Sequence, residues 1–403
     1  MNILFLSLGR YWTINEHDIY TDLLREFTKR GDCVYILSPI ERRENKEAQL
    51  IDEGNAKIIK VKICNIQKTN IIEKGISTLL IEYQFLNAIK ESLQDIHFDL
   101  VLYPTPPITF IKAVQYIKKR DNAKTYLMLK DIFPQNAVDI GMMSTTGLKG
   151  FLYKFFRSKE KKLYSISDKI GCMSQANVDY ILKHNPEIRP EKVEICPNCI
   201  EIEDMSITTE ERISMRKRYN IPTEKKAFVY GGNLGRPQGA SFIIDCLKAV
   251  EDNKNAFFLI VGDGTEYGKL ETFMSEEKPD NAKLMKRLPK DDYDKMIAAC
   301  DIGLIFLDHR FTISNFPSRL LGYMQAGLPV LACTDASTDI GNVIVDGKFG
   351  WWCESNDVDT FCKIVEGCMD ADVVTMRENE KKYLTDYYSV ERAYDIVSKY
   401  ARG

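Results

Sequence analysis

The chain has 403 residues, a net charge of −3, 44% hydrophobic residues and 28% charged residues. These values are typical of a soluble globular protein with room for two domains, and they argue against a general nucleic-acid-binding surface. No stretch approaches the roughly 18 apolar residues of a membrane span, and the N-terminus lacks the pattern of a secretory signal. The odd count of 11 cysteines favours a reducing compartment, so we expect a cytoplasmic protein.

Apolar runs and amphipathic segments alternate through the first half of the chain. The runs that predict strands are "NILFLSL", "CVYILSP", "FDLVLYP", "TYLMLK" and "KIGCMS", and "IYTDLLREFTKRG" predicts a helix that ends at Gly31. Strands that are apolar throughout and are joined by helices are typical of a parallel sheet covered on both faces. The first half is therefore predicted to be a doubly wound α/β domain.

The stretch "EICPNCIEI" places Cys196 and Cys199 at Cys-x-x-Cys spacing. A zinc site would need a second pair of ligands at similar spacing, and the sequence offers none. A redox pair should open a helix, whereas Pro197 and Asn198 predict a turn after a strand. We therefore interpret this motif as a structural turn and expect no metal site and no cofactor.

The alternation restarts after this turn. "AFVYGG", "AFFLIVGDG", "DIGLIFL" and "LPVLA" predict strands, and "GASFIIDCLKAVED", "EYGKLETFMSEE", "DDYDKMIAAC" and "SRLLGYMQAG" predict the helices between them. The tail "DYYSVERAYDIVSKYARG" predicts a last helix. The predicted organisation is a first domain over residues 1–200, a second over 201–385 and a C-terminal helix over 386–403. Ligands of such sheets bind at the carboxyl ends of the strands, so a cleft between two facing domains is the expected site.

Four phrases in the second half occur in a characteristic order, namely "FVYGGNLGRPQG", "FLIVGDGTEYGKLE", "LPKDDYDKMIAACDIGLIFLD" and "NFPSRLLGYMQAGLPVLA". Together with "ICPNCIEI", and with "INEHDIYTDLLREF" and "LKDIFPQNAVDIG" in the first half, they resemble the GT-B glycosyltransferases of family 4, above all bacterial enzymes of capsule and O-antigen assembly. The resemblance implies metal-independent transfer of a sugar from a nucleotide-diphosphate donor, UDP-sugar being favoured, with retention of configuration. It also implies that the first domain binds the acceptor, that the second binds the donor, and that the last helix crosses back to the first.

The glycine-rich phrase is the predicted diphosphate site. Breaking a sugar–diphosphate bond leaves negative charge on phosphate, so cations or oriented N–H groups must face it. Gly232 permits close approach of the backbone. By resemblance, Asn233 and Gln238 stand where many relatives carry Arg and Lys, and Arg236 and Arg319 are the expected replacements.

The phrase "NFPSRLLGYMQAG" is the second predicted part of the donor site. Pro317 is typical of the first turn of a helix, and Ser314 or Asn315 is expected to cap that helix. Many relatives carry glutamates at the positions of Ser314 and Gly322, which implies altered recognition of the sugar hydroxyls and of the ribose. The candidate donor contacts from this segment are Ser314, Asn315, Phe316, Pro317, Ser318 and Gly322, together with Arg319 as a catalytic cation. By resemblance, Arg287 and Leu288 are candidate contacts of the base, with a solvated basic turn as the alternative.

The first domain offers candidates in two loops. Gly9 and Arg10 follow the first strand and are expected to reach the donor phosphates, and His17 in the same loop is a candidate for the acceptor site, although a lone histidine is more often a surface or packing residue. Asp131 follows a strand and could orient the acceptor hydroxyl or accept its proton as a catalytic residue; a turn cap is the alternative. Lys130 beside it could attract a pyrophosphate on the acceptor.

Residues 147–164 combine six basic residues with one acid, Glu160, and they place Leu148, Phe151, Leu152 and Phe155 on one helical face. Such a helix could lie on an anionic bilayer at the cytoplasmic face of the inner membrane, which would suit a lipid-linked glycan acceptor. An ordinary amphipathic helix packed on the sheet is the alternative.

Two other functions fit parts of the sequence. A nucleotide-sugar 2-epimerase shares the two-domain cleft, but the expected acid and base side chains are not evident. A glycosyltransferase-like partner subunit without catalysis would explain the missing carboxylates and cations.

Overall fold

The computed structural model describes residues 1–66 and 71–403, except for the side chains of residues 71–76 and of Leu148. The chain divides into two compact units. The first comprises Met1–Glu201 and Ser389–Gly403, and the second comprises Ile202–Tyr388. The boundaries predicted from the sequence fell after residues 200 and 385.

The first unit is built on a sheet of eight strands in the order β3-β4-β2-β1-β5-β6-β7-β8. The strands are β1 Asn2–Leu6, β2 Cys33–Glu41, β3 Leu50–Glu53, β4 Ala56–Ile63, β5 Leu100–Thr105, β6 Lys124–Leu129, β7 Lys169–Cys172 and β8 Val193–Ile195. Only β3 runs antiparallel to its neighbour. It forms an exposed edge hairpin with β4, which the sequence analysis did not predict.

Helices cover both faces of this sheet. They are α1 Thr21–Lys29, α2 Ile71–Ser92, α3 Ile111–Asp121, α4 Gln135–Asp139, α5 Gly147–Ile166, α6 Gln175–His184 and, after the second unit, α15 Val390–Arg402. Because connections between parallel strands are right-handed, α2, α3 and α5 lie on one face and α1 lies on the other. The last helix packs on α1, where Phe27 and Tyr394 have ring centroids 4.8 Å apart and Arg402 pairs with Asp32 at 2.9 Å.

The second unit has a fully parallel sheet of six strands in the order β11-β10-β9-β12-β13-β14. The strands are β9 Lys226–Asn233, β10 Ala256–Asp263, β11 Ala282–Met285, β12 Ile302–Phe306, β13 Val330–Thr334 and β14 Gly350–Glu354. The helices are α7 Thr209–Tyr219, α8 Ala240–Ala249, α9 Tyr267–Glu276, α10 Lys290–Ala298, α11 Arg319–Ala326, α12 Ile340–Asp346, α13 Val358–Gly367 and α14 Val373–Tyr388. The prediction of two doubly wound α/β units is confirmed.

The strand order fixes where a ligand of each sheet is expected. The order reverses between β1 and β5 in the first unit and between β9 and β12 in the second. At such a switch point the loops leave the carboxyl ends of the two strands in opposite directions and open a crevice. Within the described residues, no helix is long and apolar enough to cross a membrane.

Candidate active site

Arg319 lies at the switch point of the second unit. It is the first residue of α11, and its guanidinium atoms lie 3.4–3.5 Å from the point where a Cβ on Gly232 would stand. Gly232 has φ +136°, a conformation that glycine adopts without strain. The Nη1 atom of Arg319 is buried and has no hydrogen-bond partner. Among the described residues, no carboxylate forms an ion pair with this guanidinium.

Three tyrosines surround this guanidinium. Tyr230 lies beneath it, with the Cζ atom 4.4 Å from the ring centroid, an arrangement that stabilises a cation through the ring quadrupole. Tyr323 accepts a hydrogen bond from the Gly231 N–H at 3.0 Å and lies within reach of the Val229 and Leu304 carbonyls. It thereby joins β9 to β12. Burial raises the pKa of Tyr323 to about 12, so its hydroxyl stays protonated.

Tyr293 of α10 completes this tyrosine cluster. A Cβ on Gly231 would stand 1.8 Å from the Tyr293 hydroxyl, so only glycine at position 231 admits this ring. Burial, and then the neighbouring Tyr323 hydroxyl, raise the pKa of Tyr293. None of the three tyrosines was among the residues predicted from the sequence. In the sequence, each of these tyrosines stands within one of the phrases that carry the family resemblance, and nothing else distinguishes it.

The other residues of the glycine-rich phrase have mixed positions. Gln238 is buried, and its Oε1 accepts a hydrogen bond from the Gly235 N–H at 3.0 Å, so its amide stabilises the turn. Asn233 is exposed at the end of β9. Arg236 is exposed and lies 3.9 Å from Glu266. Of the two arginines expected to replace the missing cations, Arg319 is therefore the one beside Gly232.

Helix α11 begins later than predicted. Its N-cap is Ser318, which makes no side-chain cap hydrogen bond, and Pro317 precedes it. The prediction that Ser314 or Asn315 caps this helix is wrong, because the Asn315 N–H donates to the Thr338 hydroxyl at 3.0 Å in another loop. Phe316 is buried, with its ring centroid 6.0 Å from that of Tyr388.

Ser314 lies beside a carboxylate from a different segment. Its hydroxyl donates to Asp339 Oδ1 at 3.1 Å, and Asp339 precedes α12. The Nδ2 atom of the adjacent Asn315 is buried without a hydrogen-bond partner. Polar groups therefore meet at the ends of β12 and β13, although the sequence carries no glutamate at position 314.

Gly322 is half-buried within α11. A Cβ placed on it would meet nothing within 4 Å. The helix therefore faces open space at the position where the resemblance implies a glutamate. Arg287 is exposed and Leu288 half-buried in the coil between β11 and α10.

Asp131 lies at the carboxyl end of β6 in the first unit. Its Oδ2 accepts a hydrogen bond from Asn136 Nδ2 at 2.6 Å, and its carbonyl accepts one from the Thr105 hydroxyl at 3.0 Å. Its Oδ1 is buried without a partner. Burial raises the pKa of Asp131 to about 6. A carboxylate with a free oxygen and a pKa near neutrality can accept a proton.

Lys130 contacts the Cys-x-x-Cys turn. Its ammonium donates to the Cys196 carbonyl at 3.3 Å, and burial lowers its pKa. Cys196 and Cys199 are both buried and free. The Cys196 N–H donates to the Cys172 carbonyl at 2.7 Å, which extends the pairing of β7 and β8 into the turn.

Ion pairs attach the loop after β1 to the end of β2 and the residues that follow it. Arg10 is ion-paired with Glu41 at 2.7 Å and Glu44 at 3.3 Å, so nearby carboxylates already balance its charge. A Cβ on Gly9 would stand 2.3 Å from the Tyr11 ring. Glycine is required there to admit the tyrosine.

His17 belongs to a cluster with Asp22 and Glu201 whose ligand atoms lie within 4.8 Å of one another. Arg25 lies in the same cluster. Its Nη2 is 3.0 Å from His17 Nδ1 and 2.9 Å from Glu201, and it also pairs with Asp22. The guanidinium supplies the positive charge that a metal ion would bring, so these residues do not fit a cation site.

Comparison with known proteins gives these positions a context. Residues 211–384 match the family model described as glycosyl transferases group 1. This match covers most of the second unit. The probable glycosyltransferase WbjE of Pseudomonas aeruginosa is 24% identical over 80% of this chain and 78% of its own length. WcaI of Escherichia coli, a putative colanic acid biosynthesis glycosyl transferase, is 21% identical over 61% of this chain and 60% of its own length.

Solved structures extend the similarity to both units. The HepE protein of Anabaena, in complex with UDP, has a TM-score of 0.68 and 13% identity over 99% of each chain. Sucrose-phosphate synthase of Thermosynechococcus elongatus has a TM-score of 0.76 and 13% identity over 100% of this chain and 98% of its own. WaaG, a glycosyltransferase involved in lipopolysaccharide biosynthesis, has a TM-score of 0.67 and 15% identity over 98% and 99%. The fold of the chain is GT-B, and the Arg319 site lies in the unit that matches the group 1 model.

Proposed function

We propose that this chain is a retaining glycosyltransferase of family 4 that moves a sugar from a UDP-sugar to a lipid-linked glycan in bacterial surface polysaccharide assembly, without a metal. The group 1 match and the glycosyltransferase relatives support transfer of a sugar. The UDP in the HepE structure supports a UDP donor. The name of WcaI, which refers to colanic acid, supports a surface polysaccharide as the product.

Arg319 is the observation that carries this proposal. Its guanidinium has a buried, unpartnered N–H, lies against Gly232 and is held over Tyr230. A buried cation without an acidic partner is costly, and a phosphate oxygen would satisfy both its charge and its donor. In the reaction, the bond between the anomeric carbon and the phosphate oxygen breaks and the electron pair stays on the phosphate. Arg319 would stabilise that developing charge.

Asp131 is the proposed catalytic residue of the first unit. The acceptor hydroxyl forms the new bond to the anomeric carbon and must lose its proton. At neutral pH a carboxyl with a pKa of about 6 is mostly ionised, so it can orient that hydroxyl or accept its proton. Its unpartnered Oδ1 is the available acceptor atom.

Incubation with UDP-, GDP- and dTDP-sugars tests this function, with slow hydrolysis of the donor as the readout. Arg319→Ala is expected to lower the rate about 100- to 1000-fold, as loss of one charge-stabilising donor does, and Arg319→Lys should recover part of it. Arg218→Ala is the control, because Arg218 is exposed and pairs with Asp292 at 3.0 Å. Equal rates for wild type and Arg319→Ala would remove Arg319 from the site.

The same assay separates the other candidate functions. Release of a 2-epimerised sugar would show that the protein is an epimerase and not the proposed transferase. Tight UDP binding without turnover of any donor would favour a partner subunit, a hypothesis that the use of the Gln238 amide within its own turn also fits.

A further inference from the structure

Two helices of the first unit expose large apolar side chains to solvent. On α2 these are Leu79, Leu80 and Tyr83, and on α5 they are Phe151, Leu152 and Phe155. Phe151 is 73% exposed, the highest value among the large apolar residues of the described chain. The apolar residues of α5 were predicted from the sequence, whereas those of α2 were not. Contiguous exposure of this kind marks an interaction surface rather than a packing face.

The two groups are neighbours in space. Helices α2 and α5 lie on the same face of the sheet, and α3 lies between them and contacts both. Lys159 of α5 pairs with Glu82 of α2 at 3.1 Å. Glu82 adjoins Tyr83 in the chain, and Lys159 is one helical turn after Phe155. The six side chains lie on helices of the same sheet face that this ion pair links, and they are together called the α2–α5 surface below.

The exposed charges that α5 contributes to this surface are positive. Lys149, Lys154 and Lys162 of α5 are exposed. The one acid of α5, Glu160, is buried and is paired with Arg157 at 2.6 Å, so it does not offset them at the surface. An apolar surface flanked by lysines complements a bilayer with anionic headgroups, which offers acyl chains and negative phosphates together. A protein partner would more commonly meet a polar rim of mixed charge.

We propose that the α2–α5 surface docks on an anionic lipid bilayer. On α5 the exposed apolar residues lie in the N-terminal half, so this part of the surface lies toward the carboxyl edge of the sheet, where Asp131 follows β6. A lipid-linked acceptor would reach Asp131 from that edge. This last step rests on the proposed function, whereas binding to the bilayer does not.

Sedimentation of the full chain with lipid vesicles tests the docking. The wild type is expected to bind vesicles that contain phosphatidylglycerol and to bind pure phosphatidylcholine weakly, with a loss of binding as the salt rises above about 0.15 M. The double variants Phe151→Ser/Leu152→Ser and Leu80→Ser/Tyr83→Ser should each lower the partition coefficient at least about tenfold, because each pair removes buried apolar area. Lys149→Gln/Lys154→Gln should lower it roughly fivefold per lysine at low salt.

Val374→Ser is the matched control, because Val374 is 63% exposed and lies on α14 of the second unit. It should bind as the wild type does. Absence of wild-type binding to anionic vesicles would overturn the proposal, and an unchanged α2 pair with a weakened α5 pair would overturn the joint surface. Donor hydrolysis in solution should be unaffected in all these variants, so failure of docking and failure of the transferase function are distinguishable.

Discussion

Gly322 offers a direct test of the donor site. It is the fourth residue of α11, and a Cβ there would meet nothing within 4 Å. Glycine inside a helix costs about 0.5–1 kcal/mol relative to alanine, because it loses more backbone freedom on folding. We therefore expect Gly322→Ala to raise the free energy of unfolding of the second unit by about 0.5–1 kcal/mol. The shift of its urea midpoint measures this change.

A glutamate at this position should also bind the nucleotide. The resemblance to family 4 enzymes implies Glu at this position, and a Cβ here meets nothing within 4 Å. A hydrogen bond to a charged group contributes about 1.5–3 kcal/mol, which corresponds to a Kd for UDP roughly ten- to hundredfold lower. Titration calorimetry of UDP with Gly322→Glu measures this gain. Gly322→Ala is the control, since it shares the backbone effect but lacks the carboxylate.

Two results would refute this reasoning. A destabilised Gly322→Ala would mean that the space beside α11 is occupied. UDP binding by Gly322→Glu that is no tighter than by Gly322→Ala would mean that the ribose does not lie beside this helix. The second result would leave the fold unaffected but would remove position 322 from the donor site.

Three further predictions concern the chemistry. Burial keeps the pKa of Asp131 near 6, above its unfolded value of about 3.8. The value of kcat/KM should therefore rise as the pH increases through about 6. The variant Asp131→Asn should abolish transfer while preserving donor binding. The folded state favours the protonated carboxyl, so this group's contribution to the free energy of unfolding is complete below about pH 4 and is lost as the pH rises through about 6. The neutral amide of Asp131→Asn does not ionise, so this variant should gain stability relative to wild type over that pH range. Urea unfolding at several pH values measures this difference. Tyr293→Phe removes one hydroxyl from the tyrosine cluster. It should lower kcat about three- to tenfold with KM unchanged, because one lost hydrogen bond costs about 1 kcal/mol. An unchanged kcat would exclude a positioning role for this hydroxyl. EDTA should leave donor hydrolysis unchanged, and a loss that Mg²⁺ restores would overturn metal-independent catalysis.

The parallel strands were predictable because each is apolar throughout its length. β1 and β10 are buried on both faces of their sheets, so their sequences, "NILFL" and "AFFLIVGD", carry a strong local signal. The edge strand β3 gave no such signal, because three of its four residues are exposed. Its pairing depends on the turn at Gly54, which has φ +76°.

The candidate site was less predictable, because its contacts join distant segments. Tyr293 contacts Gly231, although several strands and helices separate the two residues in the sequence. The partner of Ser314 comes from the loop before α12. Arg10 was predicted to meet phosphate, but Glu41 lies within ion-pair distance of it. A single sequence specifies which side chains exist in a loop, whereas the partners depend on the fold.

For two of the departures from the pattern that the resemblance implies, the structure places another polar or charged side chain beside the altered position. By the resemblance, Asn233 and Gln238 stand in place of two cations of the glycine-rich phrase, yet Arg319 of α11 places a cation beside Gly232. Ser314 removes a carboxylate, yet Asp339 lies 3.1 Å from its hydroxyl. A chain that had lost its reaction would have no reason to keep a buried, unpartnered guanidinium, because such a group destabilises the fold unless an anion binds it. The pairing of lost groups with replacements from neighbouring segments therefore favours an altered donor site over an inactive partner subunit.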